Sequence, residues 1–305
     1  MRVLVAGAGG VGGYFGARLA RAGVPVTFLA RGAHLDAMRR DGLRVRSAVD
    51  GEWVGKVDAV ADVTGQPPAD AILFCVKSFD TETAAAAIRP VVGPDTAVVS
   101  LQNGVDSEDT LERVLGPGHA VGGVAYVFSA LESPGVIVHR LLGRVVFGEL
   151  DGRASPRLEH LRQAFDAAGV PAEVAPDIRR LLWQKYLMIS AQAGMTALVR
   201  APIGVIRAVP ETWRMYRAIV EELAALARGG GVDLGGDAVE SVLKVAEGLA
   251  PQALSSLHDD LAAGRRLELE ALHGHAARLG ERLGVPTPMV SAVYAALKPH
   301  AAGRT

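Results

Sequence analysis

The stretch VLVAGAGGVGGYFG at residues 3–16 constrains the fold more than any other part of the chain. It sets Gly7, Gly9 and Gly12 in the spacing G-x-G-x-x-G, after a β-like apolar run and at the head of a helical one. Each glycine has a physical task. Gly7 permits a tight turn, Gly9 lets the backbone approach a pyrophosphate, and Gly12 allows close helix–strand packing. Ala8, Gly10 and Val11 lie in the same cradle, where free amides and the positive end of the helix dipole favour an anion. This context predicts a Rossmann-type parallel sheet that binds a dinucleotide.

The first half of the chain supports that expectation. VPVTFLA, AILFCV and TAVVSL are further strand-length apolar runs, and helical TETAAAAIR and EDTLERVL fall between or after them. Such alternation argues for a parallel sheet covered on both faces. GGVAYVFSA, GVIVHR and RVVFGEL then read as three consecutive strands, an antiparallel extension. From about residue 177 helical patterns take over, at 178–200, 210–228, 237–249, 252–263, 266–283 and 287–298, with Asp177 as an N-cap. The expected architecture is α/β: an NADP-binding Rossmann-type domain over 1–174 and an all-helical substrate and catalytic domain over 175–305.

Composition narrows the partners. A net charge of −1 removes the bulk electrostatic argument for nucleic acid or an anionic membrane. No uncharged apolar run reaches the roughly 18 residues of a membrane span. MRVLVAG reaches its glycines too early for a secretory h-region. The single cysteine, Cys75, excludes an internal disulfide and suits a reducing cytoplasm. His273 and His275 are two apart and share no helix face, so no metal site is expected.

Cofactor choice turns on an absence. NAD-binding versions of this fold place an acid at the end of the second strand for the ribose 2′-OH. Here that strand runs into FLARGAH, with Arg31 in the region and no acid before Asp36. A guanidinium suits a 2′-phosphate dianion, which points to NADP(H). Lys77 and Asn103 each stand just past an apolar strand, where open parallel sheets bind ligands. Each also has a bland reading, as a solvated lysine and an Asn-Gly turn. Asp106 reads as an N-cap.

Lys185, in LLWQKYLMIS, is the unusual residue of the second half. On a helix its neighbours at three and four residues are Leu181, Leu182, Met188 and Ile189, all apolar. It is either a snorkelling lysine or an ammonium held in a water-poor site.

Taken in order, these motifs resemble the ketopantoate reductase family over nearly the whole chain. GAGGVG, ARGAHL, VK at 76–77, QNG at 102–104, WQK at 183–185, SS at 255–256 and DLAAGRRLE at 260–268 carry the resemblance, with LGVPTP after them. It implies NADPH-dependent reduction of a small 2-oxo acid, 2-dehydropantoate for the named enzyme, in pantothenate synthesis. It also implies a catalytic Lys185, an active-site Glu268, Asn103 beside substrate and nicotinamide, and Ser256 at the substrate carboxylate. Read without the family, Glu268 is equally an exposed helix carboxylate and Ser256 equally a helix cap. The chain departs from the family at Ile189, where many members have asparagine, and at Leu267 to Glu270, where Thr-Glu-Ile-Asp is usual.

Reducing a ketone needs a hydride on one face of the carbonyl and a proton donor at the oxygen. A desolvated lysine can be that donor. Its apolar neighbours lower its pKa and a nearby carboxylate raises it, and residue order does not decide between them. The expected site lies between the domains. Helical C-terminal domains of such enzymes often associate, which leans the expectation toward a homodimer. Two alternatives stand beside the leading reading: a reductase of another 2-oxo acid, and a non-catalytic NADPH sensor.

Overall fold

The structure is a computed structural model that describes residues 1–304. Its contacts divide the chain into two compact units. One comprises Met1–Gln102 and Ser107–Ile178; the other comprises Asn103–Asp106 and the chain from Arg179 onward. The division therefore falls at Ile178, beyond residue 174, and one short loop of the first half groups with the helices.

The first unit contains β1 (Val3–Ala6), α1 (Gly10–Arg21), β2 (Val26–Leu29), α2 (Gly32–Asp41), β3 (Leu43–Ser47), β4 (Gly51–Gly55), β5 (Asp58–Val60), β6 (Ala69–Phe74), α3 (Thr81–Ile88), β7 (Val92–Ser100), α4 (Ser107–Leu115), β8 (Ala120–Ser133), β9 (Val136–Glu149), α5 (Pro156–Ala167) and β10 (Ala172–Val174). They build one sheet in the order β4-β3-β9-β8-β7-β6-β1-β2-β5, with β10 alongside β9. The run from β5 through β2, β1, β6 and β7 to β8 is parallel. Its strands are apolar on both sides because both faces are covered. Val3 and Val5 pack with Phe15 of α1 and Phe165 of α5, whereas Leu4 and Ala6 pack with Ile88 of α3 and Leu111 of α4.

The three strands expected after residue 120 are two. GVIVHR and RVVFGEL form the single long β9, antiparallel to β8. Leu142 (φ 66) and Gly143 (φ 123) sit where the register shifts between Tyr126 and Val127. A bulge absorbs the LLG stretch that looks like a turn in sequence. The β3–β4 hairpin has only a faint sequence signal, because its outward arginines and glutamate leave a short apolar alternation.

The second unit is helical: α6 (Ile178–Val199), α7 (Ile203–Ala208), α8 (Pro210–Gly229), α9 (Ala238–Gly248), α10 (Ser256–Ala262), α11 (His275–Leu283) and α12 (Pro288–Leu297). Tyr186, Leu187, Tyr216, Leu223, Leu269 and Val290 form part of its buried core. The expected helix over 266–283 is shorter. Gly264 (φ 66) follows the end of α10 in a left-handed conformation. Leu267 N–H then donates to Ala301 O and Arg304 N–H to Gly264 O, both at 2.9 Å. This pairing with the chain end holds 265–268 out of helical geometry. A π-helical turn over Glu270–Gly274 leads into α11. Among the described residues no helix is long and apolar enough to cross a membrane.

Candidate active site

In the first unit the strand ends are level. Cys75 N–H donates to Ala6 O at 2.8 Å and Leu101 N–H to Phe74 O at 2.9 Å. β1 and β6 are neighbours from which the strand order runs in opposite directions, the switch point where open α/β sheets bind ligands. Gly7 (φ 96) turns the chain there, and a Cβ on it would stand 2.7 Å from Val76 N. On Gly12 a Cβ would meet Val5 at 2.8 Å and Cys75 Cβ at 3.0 Å. Over Gly9 a Cβ would meet nothing within 4 Å. The turn is therefore tight where the backbone must fold and open where a phosphate must approach. Gly10 and Val11 begin α1 without a side-chain cap, which leaves its amides to a ligand. These residues fit a dinucleotide.

Ala8 is buried, and its carbonyl oxygen lies 2.8 Å from His34 Nε2. Gly135 N–H donates to His34 Nδ1 at 2.9 Å. Because Nδ1 accepts, Nε2 carries the proton. Burial pulls the His34 pKa below the usual imidazole value.

Arg31 ends the loop after β2 with its side chain 88% exposed, and its guanidinium donates to Asp80 Oδ2 at 2.8 Å. Asp80 precedes α3 in the turn that follows Lys77. Its role carries no local sequence signal, because it comes from the turn after β6 and not from the end of the second strand. Lys77 is exposed just past β6. Gln102 braces this corner, donating through Nε2 to Val76 O at 3.0 Å and Thr81 Oγ1 at 2.9 Å.

The second unit carries Asn103, Lys185, Ser256 and Glu268. Asn103 is half-buried in the loop whose Val105 packs on the helical core. Three residues after Asn103, the Asp106 carboxylate lies 3.3 Å from His275 Nδ1. Lys185 is half-buried on α6, among buried Leu182 and Trp183 and half-buried Met188 and Ile189. The apolar stripe read from the sequence is thus only partly covered, whereas Tyr186, Leu187, Ser190 and Ala191 form the fully buried face of α6. Glu268 is only 8% exposed, between buried Leu267 and Leu269.

Tyr186 links these two regions. Its hydroxyl donates to Leu272 O at 2.7 Å, in the π-helical turn just after Glu268. The same hydroxyl also reaches Ala271 O in that turn, at 3.2 Å. His273 adds a second tie, with Nε2–H donating to Ser190 O at 3.0 Å. Full burial pushes its pKa down to about 4. Asp260 and Arg265 of the DLAAGRRLE segment pair with each other at 2.7 Å. In the serine pair Ser255 is the cap of α10: its Oγ accepts from His258 N–H at 3.1 Å and bonds Thr196 Oγ1 at 2.7 Å. Ser256 is exposed at the first position of that helix. No group of three metal-ligating side chains occurs among the described residues.

Comparison with known proteins gives a consistent family. Residues 3–152 match the family described as Ketopantoate reductase PanE/ApbA, and residues 177–301 match Ketopantoate reductase PanE/ApbA C terminal. The chain is 35% identical over 286 residues to a 2-dehydropantoate 2-reductase of Archaeoglobus fulgidus, covering 93% of this chain and 92% of the relative. It superposes on the crystal structure of a PanE/ApbA family ketopantoate reductase from Ralstonia eutropha with a TM-score of 0.91 and 35% identity, covering 99% and 98% of the two chains. A D-mandelate dehydrogenase solved with NADH and anilino(oxo)acetate shares the fold, with a TM-score of 0.90 at 22% identity over 99% and 98% of the chains.

Proposed function

We propose that this chain, which belongs to the ketopantoate reductase family of NAD(P)-dependent oxidoreductases, reduces 2-dehydropantoate to pantoate with NADPH. The observation that carries the reading is Lys185. It is a half-buried ammonium on an apolar helix face, and the adjacent Tyr186 is bonded to the turn that follows buried Glu268.

Bound dihydronicotinamide supplies the hydride. Gly7, Ala8, Gly9, Gly10, Val11 and Gly12 form the cradle for the pyrophosphate, and Arg31 receives the 2′-phosphate. Lys77 adds positive charge at the switch point. As charge develops on the carbonyl oxygen, Lys185 donates the proton through Nζ. Leu182, Met188 and Ile189 keep water from that ammonium, which strengthens its interaction with the developing oxyanion. Glu268 holds the lysine, Asn103 hydrogen-bonds beside the reacting carbonyl, and the Ser256 hydroxyl receives the substrate carboxylate.

A second substrate is favoured by one observation. Buried Leu267 and half-buried Ile189 make apolar two positions where the family usually has polar side chains. They suit a bulkier apolar 2-oxo acid, in line with the fold shared with D-mandelate dehydrogenase. A panel of 2-oxo acids, followed by loss of NADPH absorbance, separates the two. Best kcat/KM on 2-dehydropantoate supports the leading reading, and best kcat/KM on an aryl or branched 2-oxo acid supports the second. No turnover with any of them would leave a cofactor-binding sensor.

A further inference from the structure

The geometry points to His34 as a positioning residue that holds the dinucleotide loop in its binding shape. The inference rests on the reading of Gly7–Gly12 as the cofactor cradle. His34 sits in the first turn of α2, three residues after Arg31. Its ring bridges two segments far apart in sequence. One is Ala8, through Nε2–H to the carbonyl oxygen at 2.8 Å. The other is the turn joining β8 to β9, through Gly135 N–H to Nδ1 at 2.9 Å.

Ala8 stands between the two glycines that shape the turn. Its carbonyl direction fixes the peptide plane leading into Gly9, and with it the amide offered to a pyrophosphate. The neutral ring is tautomerically committed: Nδ1 must accept and Nε2 must donate. No aliphatic side chain provides both. The far end of the bridge is itself anchored. Gly135 (φ 79) packs so closely on α2 that a Cβ there would lie 3.1 Å from Ala37 Cβ. The same hairpin touches the loop a second time, since a Cβ on Gly10 would stand 2.8 Å from Ala130 Cα. The cradle is thus gripped through the Ala8 carbonyl and at Gly10, while Gly9 stays open. One short segment, ARGAHL, therefore serves two ends of the cofactor: Arg31 faces the ribose phosphate and His34 sets the pyrophosphate turn.

The test is calorimetric titration of the full chain and its His34→Ala and His34→Gln variants with NADPH and with 2′-AMP. The latter carries the ribose phosphate but no pyrophosphate. Glutamine can donate to Ala8 O and accept from Gly135 N–H, so it replaces both bonds. His34→Ala is expected to weaken NADPH about tenfold, the order expected for losing a positioned hydrogen-bond pair, while 2′-AMP affinity stays within twofold. His34→Gln should recover most of the loss. Unchanged NADPH affinity in His34→Ala overturns the inference. So does an equal loss for both ligands, which marks general damage to the unit, and so does a folded His34→Gln that recovers nothing. The native chain is titrated first: if it binds neither NADPH nor NADH, the cofactor reading itself has failed.

Discussion

The Arg31 guanidinium donates to the Asp80 carboxylate at 2.8 Å, so the cation suited to a 2′-phosphate faces an acid contributed by a different strand end. A bound 2′-phosphate dianion and Asp80 would compete for the same donors. Arg31→Ala should raise KM for NADPH much more than KM for NADH. Asp80→Asn should act in the opposite sense, lowering KM for NADPH a few-fold with a smaller change for NADH. The effect is bounded because exposed ion pairs contribute only about 0–1 kcal/mol. Equal changes for both cofactors in Arg31→Ala would show that Arg31 does not read the 2′-phosphate.

Tyr186→Phe removes the donor from Leu272 O without changing the packing of the ring. A buried carbonyl left without its partner costs about 1–3 kcal/mol. The thermal midpoint should fall accordingly. Turnover should fall as well, because the turn after Glu268 loses its tie to the helix of Lys185. A normal turnover with a lowered midpoint would limit Tyr186 to stability.

His273 sets an acid limit on stability. Its pKa lies near 4 in the folded chain against 6.5 unperturbed, because burial disfavours the imidazolium. The unfolded state therefore binds the proton first. The stabilisation is complete above about pH 6.5 and is lost as pH falls from there toward 4, with a slope approaching ~1.4 kcal/mol per pH unit. Urea unfolding at pH 7 and pH 5 measures it. A His273→Leu variant, at the cost of the Ser190 bond, should show a flatter profile across that window.

Much of this fold is legible in the residues. The glycine spacing and the doubly apolar strands announce the parallel sheet, and the apolar run around Lys185 marks a largely buried helix. What escapes the sequence depends on contacts between distant segments. The break at 265–268 is imposed by backbone bonds to Ala301 and Arg304, and no local pattern signals them. Asp80 lies 49 residues from Arg31 along the chain. Ser255 and Ser256 are chemically alike, and only the bond that Ser255 Oγ accepts from His258 N–H identifies Ser255 as the cap. His34 and Tyr186 act through backbone partners, which carry no side-chain signature.

Lys185→Ala is the most direct test of the reductase reading. A positioned general acid contributes typically about 10²–10⁴ in rate. Turnover, NADPH affinity and thermal midpoint should be measured on one preparation, with the best substrate from the 2-oxo acid panel. Turnover is expected to fall by that order while NADPH binds with nearly native affinity and the midpoint shifts little. Near-native turnover would contradict the assignment and leave Lys185 as a lysine whose stem merely covers apolar surface.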